Sequence, residues 1–445
     1  MRANIRILFL LIGVLVWGSA AQAARIEEIK TDGGITAWMS EDKTLPIFSL
    51  RLSFEHGGTA YDPAGKQGLA VFATNAMTEG AGDLDSKAFH EALEEKAISI
   101  DVGVNEDRIT VSLDSLSEHA DDAFALLAKV LKQPRFEKDD VERVRTELLT
   151  ALNQLQEDPN YAASRAFSET AYKGHPYSQP AYGTPESLAT ITVDDLKAFH
   201  QKHFTKTGLM LSISGDLSKE QVKTLLSKTL DDLPKGEAIA ALPSVDIQEY
   251  GTKVINRDVP QTVVGFALPG VTRDDPMFYA AYLMNYSLGG STLTARLGED
   301  IRRKHGLSYY VNTYLDVNDA SHILKGGMAV RNDKVKEAID LLKKNINSIP
   351  DHPFSQEELD SAKDYVIGSF PLSLDTNREF ASYMQMMQWY KLGIDYIDKR
   401  SDHFRSVTLQ QVNDAAKRLL NTKNLLIVAV GGEDKNEKQS QNSNH

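Results

Sequence analysis

Metal-assisted and nucleophilic chemistry rest on a few residue types, and this chain of 445 residues spreads them thinly. It has no cysteine, which removes thiolate nucleophiles, thiolate metal sites, a disulfide framework and a lipid-attachment cysteine together. Eleven histidines remain. His90 and Glu94 stand four residues apart with Glu91 beside them, and His200 and His203 stand three apart, so each pair would share a helix face as two ligands of one ion must. Neither pair has a third ligand at a recognisable spacing, and a solvated helix face explains each more simply. His175 lies before Pro176 and reads as a structural loop histidine rather than a catalytic one.

The elements that must position any site follow from periodicity. Leu45 to Phe54 and Arg108 to Leu113 alternate and are rich in branched residues, as strands are. Leu69 to Met77, Ser86 to Lys96, Glu118 to Gln133 and Lys138 to Gln156 have helical spacing, the last opened by acidic residues that suit a helix N-terminus. Strands followed by runs of helices predict an α+β fold with a sheet covered on one side.

Two internal repeats divide the chain. Phe136-Glu-Lys-Asp-Asp-Val-Glu142 is echoed by Phe354-Ser-Gln-Glu-Glu-Leu-Asp360, an offset of 218. Ile191-Thr-Val-Asp-Asp-Leu196, leading to Ser214-Gly215-Asp216, is echoed by Val407-Thr-Leu-Gln-Gln-Val412, leading to Val430-Gly431-Gly432, an offset of 216. Two independent matches at nearly one offset imply two homologous halves. The expected organisation is a signal peptide at 1–23, a first domain at 24–235, a linker at 236–250, a second domain at 251–432 and a polar, disordered tail at 433–445.

The formal net charge of −13 argues against nucleic acid, whose phosphates require clustered cations. Arg2 and Arg6, the apolar run Ile7 to Trp17 and the small residues around Ala21-Gln-Ala23 have the form of an export signal, so a soluble bacterial periplasmic or secreted protein starting near Ala24 is expected. The alternative, a retained membrane anchor, is opposed by an apolar run shorter than the roughly 20 residues that span a bilayer.

Gly68-Leu-Ala-Val-Phe-Ala-Thr-Asn75, followed by Met77-Thr-Glu-Gly80, resembles the zinc helix of the pitrilysin and insulinase superfamily, the inverzincins, whose motif is His-x-x-Glu-His. That motif sets two imidazoles on one helix face with a carboxylate as general base toward a zinc-bound water. Here the motif positions read Val71, Thr74 and Asn75, and the family's later glutamate ligand falls on Ala151. The resemblance extends through Asp158-Pro159, Tyr172-Lys-Gly-His-Pro-Tyr177 and Gly183-Thr-Pro-Glu-Ser-Leu188, and covers about Leu45 to Gly432. Leu288-Gly-Gly-Ser291 and the segment Arg302 to Val311 are similar to the family's glycine-rich stretch and its Arg…Gly-Leu-x-Tyr motif. The resemblance therefore gives Arg302 and Tyr309, with Arg303 and Tyr310 as neighbouring alternatives, as the pair that hydrogen-bonds substrate carbonyls and the forming oxyanion.

The resemblance implies two domains, each a mostly antiparallel sheet covered by helices, and a chain inactive by itself. It implies a non-catalytic subunit that pairs with a zinc-bearing paralogue, binds extended peptides and supplies Arg302 and Tyr309 in trans. No cofactor is expected in this chain, and zinc is expected in the partner. The alternative is a structural or peptide-binding, chaperone-like protein with no part in proteolysis.

Overall fold

The computed structural model of the chain, which describes residues 25–291 and 293–432, contains two sheets. The expected signal peptide and the tail at 433–445 lie outside the described residues. The first sheet holds β1 (Ile26–Lys30), β2 (Thr36–Glu41), β3 (Ile47–Glu55), β4 (Ser99–Val104), β5 (Arg108–Leu116) and β6 (Leu209–Gly215), in the order β1-β2-β6-β3-β5-β4. The second holds β7 (Gly251–Asn256), β8 (Gln261–Pro269), β9 (Ser308–Val317), β10 (His322–Arg331) and β11 (Leu426–Gly431), in the order β7-β11-β8-β10-β9. The second order repeats the first without a counterpart of β1. Each sheet contains one parallel pair, β2 with β6 and β7 with β11, among antiparallel neighbours.

The sequence repeats land on matching helices. Lys138–Glu157 and Gln356–Gly368 start 218 residues apart, and Val193–His203 and Leu409–Leu419 start 216 apart. The latter two open on capping boxes, Thr192 with Asp195 and Thr408 with Gln411, in which side chain and backbone satisfy each other's exposed N–H groups.

On one face of the first sheet Phe48, Leu50, Leu52 and Phe54 of β3 join Ile109, Val111 and Leu113 of β5 in a core closed by that half's own helices. The other face carries Ser49, Arg51, Ser53, Ser212 and Ser214, and it too is buried. The helix Asn377–Trp389 from the second half covers it: Ser212 Oγ donates to the Ala381 carbonyl at 2.7 Å, Ser214 Oγ to Asn377 Oδ1 at 2.8 Å, and Arg51 Nε to Ser382 Oγ at 3.3 Å. The exchange is reciprocal. The helix Pro159–Ala171, again 218 residues earlier, sets Ala163, Ala166 and Phe167 against Leu426, Val428 and Val430 of β11. Each sheet is thus covered on both faces, where the sequence suggested one. Serines alternating with hydrophobes read as a solvent face, but small hydroxyl side chains also admit a helix closely and hydrogen-bond to it.

A polar network joins the halves beside these helices. Arg108, buried, donates to both carboxylate oxygens of Asp319 at 2.8 and 3.0 Å and lies over the Trp389 ring, whose Nε1 also donates to Asp319 at 2.7 Å. Asp107 accepts from the Asp319 N–H at 3.0 Å and from the Tyr177 hydroxyl, which in turn accepts from the Ala320 N–H at 3.1 Å. Residues 236–250 form no helix or strand, yet they are pinned: Val245 N–H donates to the Ala320 carbonyl and Gln248 N–H to that of Ala171. His175 joins this seam. Its Nδ1 accepts from the Tyr177 N–H at 3.2 Å, leaving Nε2 to donate to the Pro243 carbonyl at 3.0 Å.

His200 and His203 are both committed to the core. His200 Nε2 donates to the Leu131 carbonyl at 2.9 Å, and its ring stacks on Phe204; His203 packs on Phe199 and leaves Nδ1 without a partner. His90 Nδ1 lies 2.7 Å from the Ser86 carbonyl. Among the described residues no cluster of His, Asp or Glu could hold a metal ion, and no helix is long and apolar enough to cross a membrane.

Two predictions follow from this packing. Arg108→Met leaves Asp319 and Asp107 without their buried cation and is expected to destabilise the fold by about 3 kcal/mol, read as a fall in the urea midpoint at unchanged slope. Burial, aided by Lys202, depresses the His203 imidazole to about 4. A histidine held neutral in the fold supplies stability above its unfolded value near 6.5 and loses it as pH falls toward 4, up to about 3 kcal/mol. His203→Gln should flatten that limb in urea titrations between pH 4 and 7.

Candidate functional site

The helix Leu69–Ala76 begins after Gly68, whose φ of +89° suits glycine and where a Cβ would come within 2.9 Å of the Tyr182 carbonyl oxygen. Asp62 caps it, accepting from the Gly68 N–H at 2.8 Å and the Ala70 N–H at 2.9 Å. Burial pushes the Asp62 carboxyl up to about 7 against those bonds. The helix that the resemblance singles out is therefore formed and capped.

Its contents are not those of a zinc centre. Val71 has no donor atom and is buried. Thr74, 1% exposed, turns its hydroxyl back onto its own helix, donating to the Ala70 and Val71 carbonyls at 2.9 and 3.0 Å. Asn75 is exposed and donates through Nδ2 to the Val71 carbonyl at 2.8 Å. Ala151 sits exposed on the helix Lys138–Glu157, which packs against Leu69–Ala76. Glu79, four residues past Asn75, is held by Arg143 and Ser86, and burial opposes these partners without preventing a lowered carboxyl. No set of side chains here offers the three ligands that a hydrolytic zinc requires, so the residues present do not fit the metal.

What remains is a cavity of about 370 Å³. Val71, Thr74 and Asn75 line one side, Val102, Gly103 and Val104 of β4 another, and Tyr182 a third. Among the described residues β4 pairs only with β5, which leaves its outer edge open to pairing with an extended segment. The sequence reading missed this edge strand and Tyr182. The alternation of Ser99 to Val104 was the available signal, weakened by Asp101 and Gly103.

Arg302 and Tyr309 lie in the second half, outside this cavity. Arg302 belongs to a π-helical segment, Gly298–Lys304, a wide turn that recurs at functional positions. Tyr309 is the second residue of β9, an edge strand of the second sheet. The Arg302 guanidinium lies 5.2 Å from the centre of the Tyr309 ring, a cation–π approach, and Tyr309 is 82% exposed. The neighbouring alternatives are arranged differently: Arg303 is tied to Glu299, and Tyr310 is half-buried, with its phenol pushed up by burial. The glycine-rich stretch has a packing reason, since a Cβ on Gly289 would fall 2.6 Å from Thr313 Oγ1 of β9.

Residues 39–185 match the family model described as Insulinase (Peptidase family M16), and residues 190–366 match Peptidase M16 inactive domain, together well over half of the chain. The chain is 28% identical over 429 residues to the non-peptidase homolog YmxG of Helicobacter pylori, covering 96% of this chain and 98% of that protein. A solved peptidase M16 inactive domain from Pseudomonas fluorescens matches with a TM-score of 0.86 at 27% identity, over 92% of this chain and 98% of that one. A chain of Complex III2 from Candida albicans shares the fold, at a TM-score of 0.77 and 15% identity over 91% and 95% of the two chains. With the two repeated sheets, the matching helices and these two family matches, the chain belongs to the M16 peptidase family, the pitrilysin and insulinase type, as a non-catalytic member.

Proposed function

We propose that this chain is the non-catalytic subunit of a two-chain zinc peptidase, exported to the bacterial periplasm or exterior, with residues 24–235 and 251–432 as its two domains. It pairs with a zinc-bearing paralogous subunit, holds extended peptides and supplies Arg302 and Tyr309 to the partner's site. Zinc resides in the partner.

The observation that carries this reading is the contrast between the two halves. The first keeps the catalytic helix and the free β4 edge but no ligand or general base. The second keeps a guanidinium and a phenol side by side, with the phenol facing solvent and neither group lining its own chain's cavity. A guanidinium and a phenol can both donate hydrogen bonds to a peptide carbonyl, and those bonds strengthen as the oxygen becomes an oxyanion. Such donors contribute only when a second chain brings metal and water to the same bond. The β4 edge gives affinity through backbone pairing and little sequence preference, which suits short unfolded polypeptides.

The test is steady-state hydrolysis of an unstructured peptide by this chain mixed with the homologue bearing His-x-x-Glu-His. Arg302→Ala and Tyr309→Phe are each expected to lower kcat of the mixture by roughly 100-fold, while co-elution of the two chains on gel filtration is unchanged. Wild-type rates with both variants would contradict the shared site and leave a binding or scaffold role.

A further inference from the structure

The second half has a pocket of its own, about 560 Å³, in the size range of roughly 300–1,000 Å³ typical of small-molecule sites. It lies between the helix Phe278–Asn285, the edge strand β9 and the segment 370–404. Its walls are aromatic, with Phe278, Tyr282, Tyr314, Phe370, Tyr383 and Tyr390 among them.

Two arginines enter this aromatic surface. Arg273 lies 4.0 Å over the Phe278 ring and donates to the Tyr396 hydroxyl at 2.6 Å. Arg400, 9% exposed, lies 3.9 Å over the Phe370 ring and donates to the Val366 carbonyl at 3.2 Å. In a chain of net charge −13, neither guanidinium has a carboxylate partner among the described residues, although most other arginines there do. Partly buried cations of this kind favour an anion, and a planar guanidinium suits a carboxylate.

Two further buried polar atoms lining the pocket are unpartnered. Asn285, 7% exposed, commits Nδ2 to the Thr313 carbonyl at 3.3 Å, which leaves Oδ1 as an acceptor with no donor. Thr313 Oγ1, on a residue 3% exposed, is likewise unpaired. A buried acceptor without a donor is an unmet hydrogen bond that a ligand N–H would satisfy. Tyr383 remains a neutral donor at physiological pH: burial pushes its phenol up to about 12, with Arg400 and Arg273 acting against that rise.

Carboxylate, adjacent N–H and apolar side chain occur together in one chemical group, the C-terminal residue of a peptide. We propose that this pocket captures the free C-terminal carboxylate and last side chain of an extended peptide, with Arg273 and Arg400 facing the carboxylate and Asn285 Oδ1 accepting from the terminal amide N–H. The preceding residues would leave the pocket toward Tyr309, which stands about 13 Å from Thr313 along β9 at the usual rise per residue; beside the pocket the Thr313 and Val317 carbonyls are already bonded, by Asn285 Nδ2 and the Tyr390 hydroxyl. The inference rests on the peptide-binding reading given above and assigns it a terminus and a direction of entry.

The test compares one fluorescein-labelled decapeptide ending in phenylalanine as free acid and as C-terminal amide, by anisotropy with the full chain. The acid is expected to bind at least 10-fold more tightly. Arg273→Gln should abolish that preference, weakening the acid at least 10-fold more than the amide. Asn285→Asp adds a negative charge at nearly constant shape and should weaken the acid alone, which keeps the test decisive if an Arg400 variant fails to fold. Equal affinity of acid and amide for the wild-type chain overturns the proposal and leaves peptide binding standing. If neither peptide binds, the peptide reading fails, and ligand-observed NMR with N-acetylphenylalanine against its amide decides the pocket: selective contact with the acid upholds it, and no contact overturns it too.

Discussion

Neither sheet is finished by its own half. The polar face of β3 and β6 is covered by Asn377–Trp389, and the outer face of β11 by Pro159–Ala171, so the two halves close each other. Where these exchanged helices meet, Arg108 is buried between Asp319 and Trp389, and Asp107 links that cluster to Tyr177. A buried arginine is tolerated only with such partners, since an uncompensated charge at that depth would outweigh much of the fold's net stability. The lock fixes β4 and β9, one edge strand of each sheet, relative to each other. Both candidate sites lie against those edges.

Within that frame the two halves have diverged chemically. The first retains what shapes a catalytic helix, namely Gly68 at positive φ, the Asp62 cap and packing against Lys138–Glu157, while Val71, Thr74 and Asn75 leave it without metal-binding chemistry. The second retains exposed donor groups, Arg302 over Tyr309. On the proposed reading these are complementary facts, because donors aimed at a developing oxyanion accelerate nothing until another chain brings the metal-bound water.

Much of this was legible in the sequence where the signals are local. The repeats found in the sequence fall on matching helices, and the structure adds the short-range reason, the capping boxes of Thr192 with Asp195 and Thr408 with Gln411. That Val71 cannot ligate a metal could be read because side-chain identity alone decides it. Long-range features were hidden. Nothing near Ser212 or Ser214 says that a helix 163 to 169 residues away will cover them, and Arg51 meets Ser382 across 331 residues. The aromatic pocket likewise draws Arg273 and Arg400 from segments more than a hundred residues apart, each unremarkable in its own neighbourhood.

The central claim is that this chain completes a zinc site it does not itself possess. The direct measurement is zinc content together with peptide hydrolysis for the purified chain, for its zinc-bearing homologue and for their equimolar mixture. The account predicts zinc confined to the homologue and hydrolysis that appears, or rises strongly, only in the mixture. Tightly bound stoichiometric zinc in the isolated chain, or full activity in the homologue alone, would contradict it.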